Sequence, residues 1–206
     1  MLKENIILLI FFIIANAYGQ SDCLLKDVII WNDSMELRIE DFKSITPPLL
    51  SSDTPYKGKN RAISVCEIQL LFSSSKIKNE ILVCPTFSRS ESWIDTSGLE
   101  LYDIKHILNH ELGHFNIIEY ASRLIRKGSD NLWYNSCLNK AEFDILVAEV
   151  GKEIDSLNYE YDMDTLHGAI FSKQDEWNKK IQQLLDSLAQ YSSPNYSDVN
   201  YRITFK

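Results

Sequence analysis

Residues 99–127 contain no proline, and their apolar residues Leu101, Ile104, Leu108, Leu112, Phe115 and Ile118 recur at helical spacing. A stretch of this length and pattern predicts one long helix, and the rest of the chain must be arranged around it. Thr96 or Ser97 can cap its start and Gly128 can end it. Within it stands His110-Glu111-Leu112-Gly113-His114. Two histidines four residues apart share one face of a helix, about 6 Å apart along its axis. Their imidazoles can therefore converge on one metal ion, with Glu111 beside them to take a proton from water. The spacing predicts a hydrolytic Zn2+ site with His110 and His114 as ligands and Glu111 as the catalytic base.

Catalytic zinc usually takes three protein ligands and keeps one position open. His106 shares the face of His110 but lies a turn too far along the helix to complete a tetrahedron. His167, next to Gly168, follows a second predicted helix, where the chain can fold back over the first. It is the expected third ligand, with Glu142 and Glu149 on the second helix as alternatives. Glu119 lies five residues after His114, on roughly the opposite side of the helix. The metzincin pattern fails, because Ile117 and Tyr120 stand where its glycine and third histidine belong. Tyr161 and His106 are candidates to donate to a developing oxyanion. Asp162, or Asp164, is a candidate to orient a ligand imidazole.

The other segments point to an α+β domain. Residues 28–31 and 35–42 read as short elements, and residues 45–60, with Pro47, Pro48, Pro55 and Gly58, as a loop near the site's rim. Residues 62–72 and 77–83 read as a hairpin turning at Ser73-Ser74-Ser75. A second helix is expected over 139–157, started by Asn139 with Glu142, and a third over 173–190, capped by Ser172. Residues 201–205 read as an edge strand. Strands and hairpin thus pack on a helical C-terminal half that carries a long zincin-type helix.

Residues 1–19 have the layout of a secretory signal peptide: Lys3, the apolar run 6–15, then small residues at Ala15, Ala17 and Gly19. Ten apolar residues at about 1.5 Å each cannot cross roughly 30 Å of hydrocarbon. The expected product is a single domain over 20–206, secreted or periplasmic, with no membrane span. Its net charge of −8 argues against a nucleic-acid partner, and Arg123, Arg126 and Lys127 read as solvated cations at a helix end. Four cysteines in an exported chain favour disulfides. Cys66 and Cys84 are equidistant from Ser75 and are expected to pair, leaving Cys23 with Cys137.

The chain resembles the bacterial family of predicted secreted zinc-dependent proteases, catalogued as a domain of unknown function. The resemblance rests on Ser92-Trp93-Ile94, on Leu108-Asn109-His110-Glu111 with His114-Phe115, and on Glu119 with residues 123–127. It continues through Tyr161-Asp162, Thr165, His167-Gly168, Gln174 and Trp177, and Ile30-Trp31 and residues 40–43 also match. It covers roughly residues 28–180 and implies export, a peptidase-type activity and His167 as a metal ligand. The expected function is hydrolysis of peptide or protein substrates by metal-activated water. The alternatives are an amidase acting on a non-protein amide such as a cell-wall cross-link, an inactive relative that binds a partner, and a structural zinc protein.

Overall fold

The computed structural model describes residues 13–15, 27–46, 61–74, 79–134 and 137–192. The protein is α+β, as its segments predict. Its strands are β1 (Ile13–Ala15), β2 (Val28–Ile30), β3 (Ala62–Ile63), β4 (Cys66–Ser74), β5 (Asn79–Ser88) and β6 (Trp93–Ile94), followed after α1 (Leu101–Ser129) by β7 (Trp133–Tyr134) and β8 (Cys137–Leu138). Helices α2 (Lys140–Thr165) and α3 (Phe171–Ser187) complete the set. The main sheet has the order β1-β4-β5-β2, with β1 parallel to β4 and the other pairs antiparallel. Apart from β1, the segment read as a leader lies outside the described residues, as do the 201–205 strand and most of the 45–60 loop. Among the described residues no helix is long and apolar enough to cross a membrane.

Helix α1 is the centre of the molecule, in contact with β4 and β5 and with α2 and α3. Phe115, Ile117, Ile118 and Ile125 are each 0% exposed, which covers more than one face of the helix. A helix buried on several sides belongs to a core rather than to a surface. Sheet residues on one face, Cys66, Ile68, Leu70, Val83 and Phe87, complete the apolar cluster with those of α1. Burying each large side chain here is worth about 1.5–3 kcal/mol.

The hairpin is longer than its apolar run, because β5 continues through Pro85, Thr86 and Phe87. Pro85 has no N–H to give, but its carbonyl accepts from the Trp31 N–H at 3.1 Å, which holds the β2 end of the sheet. The register also corrects the disulfide expectation. Cys66 pairs with Phe87 and Cys84 with Gln69, so the two cysteines are three positions out of step. An odd offset places them on opposite faces of the sheet, and Cys66 is buried with no disulfide partner among the described residues. Cys23 lies outside the described residues, and so does the side chain of Cys137.

Each predicted helix is present with altered ends. The start of α1 is held by Asp103, whose carboxylate accepts from the Glu100 N–H at 3.4 Å, and not by Thr96 or Ser97. Gly128 lies inside the helix, where a Cβ would meet Leu146 at 2.6 Å. Asn139 caps α2 as expected, its Oδ1 accepting from the Glu142 N–H. That helix then runs on from Leu157 to Thr165. Helix α3 begins at Phe171 after Ile170, without a side-chain cap.

The two arginines are the other correction. Arg123 is only 5% exposed and pairs with Glu119, which is 0% exposed, at 2.7 Å. Arg123 also donates to the Leu185 carbonyl (2.6 Å), and Arg126 to the Tyr191 and Val83 carbonyls (2.8 and 2.7 Å). These are buried or half-buried ties from α1 to α3, to the turn after it and to β5 rather than solvated cations. Glu119 faces them, away from His114, as its spacing implies.

Candidate metal centre

His110 and His114 occupy one buried face of α1. Facing them is the last turn of α2, which carries Asp162. The longer α2 explains this placement. Its inward residues Asn158, Tyr161, Asp162 and Thr165 continue the stripe of Phe143, Val147, Val150 and Ile154. The Nε2 atoms of His110 and His114 lie 3.3 Å apart, and Asp162 Oδ1 lies 3.1 and 3.0 Å from them. Ligand atoms held tetrahedrally about 2.0–2.1 Å from zinc are about 3.3 Å from one another. The three side chains are therefore spaced as ligands of one ion, and this buried group could bind a metal.

The outer imidazole nitrogens are also occupied. Gln174, 1% exposed, donates from Nε2 to the Tyr161 hydroxyl and to Asn178 Oδ1. Its Oε1 is thereby turned to His110 Nδ1, at 3.1 Å. Asn158 presents Oδ1 to His114 Nδ1 at 2.8 Å, and its buried Nδ2 has no partner among the described residues. Both acceptors favour a proton on Nδ1, so that Nε2 faces the centre, where it donates to Asp162 when protonated and offers its lone pair to a metal when not.

The electrostatics also call for a cation. Burial opposes the charge on Asp162, but His114 beside it, and hydrogen bonds from His110, His114 and His167, hold its carboxyl well below the usual range. Burial likewise opposes an imidazolium at His114, yet the Asp162 carboxylate and Glu111 prevail and push its pKa up to about 9. Positive charge between these groups is favoured, whether a proton or a metal ion supplies it.

Glu111 is 5% exposed, and its Oε2 accepts from the Ser64 N–H at 3.0 Å. Ser64 follows β3, which pairs with β6, placing Ile63 opposite Trp93. Ser92, 0% exposed, holds the same corner by accepting from the Val65 N–H (2.9 Å) and donating to the Ser88 carbonyl (2.6 Å). The Ser92-Trp93-Ile94 segment thus positions the backbone that orients Glu111.

After Thr165 the chain turns through three consecutive left-handed residues, Leu166 (φ 46°), His167 (φ 54°) and Gly168 (φ 81°). A Cβ on Gly168 would lie 2.8 Å from His110 Cβ, so only glycine lets the turn close on α1. His167 does reach the centre by this fold-back, but its Nδ1 approaches Asp162 Oδ1, at 3.5 Å. The group that converges is His110, His114 and Asp162, with His167 beside Asp162. Glu142 and Glu149 are exposed, on the other side of α2.

The oxyanion candidates are engaged elsewhere. Tyr161 is 0% exposed, donates to the His110 carbonyl at 3.0 Å and stacks on the His110 ring at 4.7 Å. It braces the site from behind, and burial pushes its pKa up. His106 lies flat on Phe171, and Asp164 accepts from Trp177 Nε1 at 3.1 Å. Asn158 and Ser64 were not singled out from the sequence. Asn158 precedes Asp162 by four residues and so shares its helical face, a signal visible only once α2 extends that far. No family model, curated protein or solved structure matches the chain.

Proposed function

We propose that this protein is an exported zinc-dependent hydrolase of peptide bonds, in line with the family its motifs resemble. The observation that carries the reading is the convergence of His110 Nε2, His114 Nε2 and Asp162 Oδ1 to 3.0–3.3 Å beside Glu111. Two imidazoles and one carboxylate are a donor set of catalytic zinc, where three protein ligands leave one position open; structural sites usually close with four. A zinc ion held there supplies Lewis acidity at the centre. Glu111, steadied by the Ser64 N–H, accepts the proton of the attacking water and returns it to the leaving nitrogen. Asp162 carries charge at the centre, and Gln174 and Asn158 keep both imidazoles in the ligating tautomer. His167, beside Asp162 and partly open to solvent, faces the side from which substrate enters.

Metal content of the purified protein tests this reading. The wild type is expected to hold about one zinc per chain. Asp162→Ala is expected to lose most of it, and His167→Ala to retain it. Glu111→Gln is expected to retain zinc and lose turnover of a casein or peptide substrate by about 100-fold or more. A wild type that takes up no zinc under metal-replete conditions contradicts the reading. Zinc lost from His167→Ala and kept by Asp162→Ala moves the third ligand to His167.

A further inference from the structure

Among the four side chains that meet at Asp162, His167 is the most exposed. The side chains of His110, His114 and Asp162 are 3%, 9% and 7% exposed, whereas His167 is 22% exposed. His167 and its left-handed turn therefore form the more open border of the centre. Phe171, four residues further on, opens α3, and His106 lies one turn before His110 on α1. The His106 ring stacks on Phe171 at 3.7 Å and 13°. Tyr102 stands edge-on to both, at 4.4 Å and 73° from His106 and 5.5 Å and 85° from Phe171. Three rings are thus packed into a ledge, yet Tyr102 is 61% and Phe171 38% exposed. Leu166, in the same turn as His167, is 54% exposed, and Leu101, beside Tyr102, is 66% exposed.

Large apolar side chains gathered at the surface mark a binding site when they adjoin a chemical centre. We propose that the Tyr102, His106 and Phe171 ledge receives an apolar or aromatic side chain of the peptide substrate, next to the bond to be cleaved. The occupant is fixed by position and chemistry. The ledge borders the more open side of the centre, and Tyr102, His106 and Phe171 meet it as packed rings whose burial favours an aliphatic or aromatic side chain. Tyr102 and His106 are four apart on α1, so they present one continuous face to an extended peptide. His106 acts here as a flat contact surface. The inference rests on the peptide-hydrolase reading and names the residue preference of that activity.

The test uses zinc-loaded full-length protein and internally quenched peptides that differ only beside the scissile bond, carrying Phe, Leu, Gly, Asp or Lys. Wild type is expected to cleave the Phe and Leu peptides with kcat/KM on the order of 10- to 100-fold above the Asp and Lys peptides. Phe171→Ala and Tyr102→Ala, at exposed positions, are expected to reduce that preference about tenfold, through KM, with zinc content and cleavage of the Gly peptide unchanged. Equal cleavage of all peptides, or a preference untouched by both substitutions, overturns the proposal. Binding of the same peptides to zinc-loaded Glu111→Gln, read by fluorescence anisotropy, separates the two ideas. Apolar-selective binding that Phe171→Ala weakens, with no turnover by wild type, rejects the hydrolase and keeps the ledge. No selective binding to Glu111→Gln rejects the ledge, whatever wild type cleaves.

Discussion

Gly113, between the two histidines, is set by Tyr161. A Cβ there would lie 2.1 Å from the Tyr161 hydroxyl oxygen, closer than any side chain tolerates. That hydroxyl is held by the His110 carbonyl and by Gln174, so it has nowhere to move. Gly113→Ala is expected to destabilise the protein by about 1–3 kcal/mol, as overpacking does, despite the better helix propensity of alanine. Denaturant titration measures the loss. Gln174→Leu removes the acceptor of His110 Nδ1 and is expected to weaken zinc binding about 10- to 100-fold. Competition with a chromophoric chelator reads that change.

Among the elements, the turn from α2 to α3 bears the most backbone strain. Leu166 has φ 46° and ψ 54°, a conformation that costs a non-glycine residue about 1–2 kcal/mol. Leu166 is exposed, so Leu166→Gly is expected to raise stability by about 1 kcal/mol, visible as a higher Tm. Gly168→Ala is expected to act in the opposite sense, because its Cβ would strike His110. The buried Glu119 behaves as a third case. Glu119→Leu leaves Arg123 without its carboxylate in the core and is expected to cost about 3–5 kcal/mol, which thermal unfolding detects. These ends and turns separate what was legible in the sequence from what was not. Helical periodicity announced α1, and the spacing of His110, Glu111 and His114 announced half of the centre. Asp162 was legible only as a partner for a ligand imidazole, because its convergence with both histidines depends on α2 running eight residues beyond Leu157, to Thr165. Polar inward residues there, Asn158 and Asp162, break the apolar stripe that signals a buried helix. The pairing of Cys66 with Cys84 failed for a related reason: symmetry about Ser75 presumes a register, and the observed one sets Cys66 opposite Phe87.

For the molecule as a whole, metal and fold should be coupled. A ligand bound only by the folded state at 100 times its Kd adds about 2.7 kcal/mol. Removing zinc with a chelator is therefore expected to lower Tm by roughly 5–10 °C for a domain of this size, with one equivalent of zinc restoring it. Glu111→Gln should show the same shift, since it leaves the ligands in place. Asp162→Ala should show little.

The helices that meet at the centre have a consequence for timing. His114 finds Asp162 and Asn158 across 48 and 44 residues of chain, and His110 finds Gln174 across 64. Contacts spanning such distances form late, because loop closure precedes their reward. A nascent chain carries the two histidines of α1 long before their partners are docked. On the peptide-hydrolase reading, cutting power would then arise only with the finished fold, which would shelter the producing cell, and the chain itself, from premature cleavage.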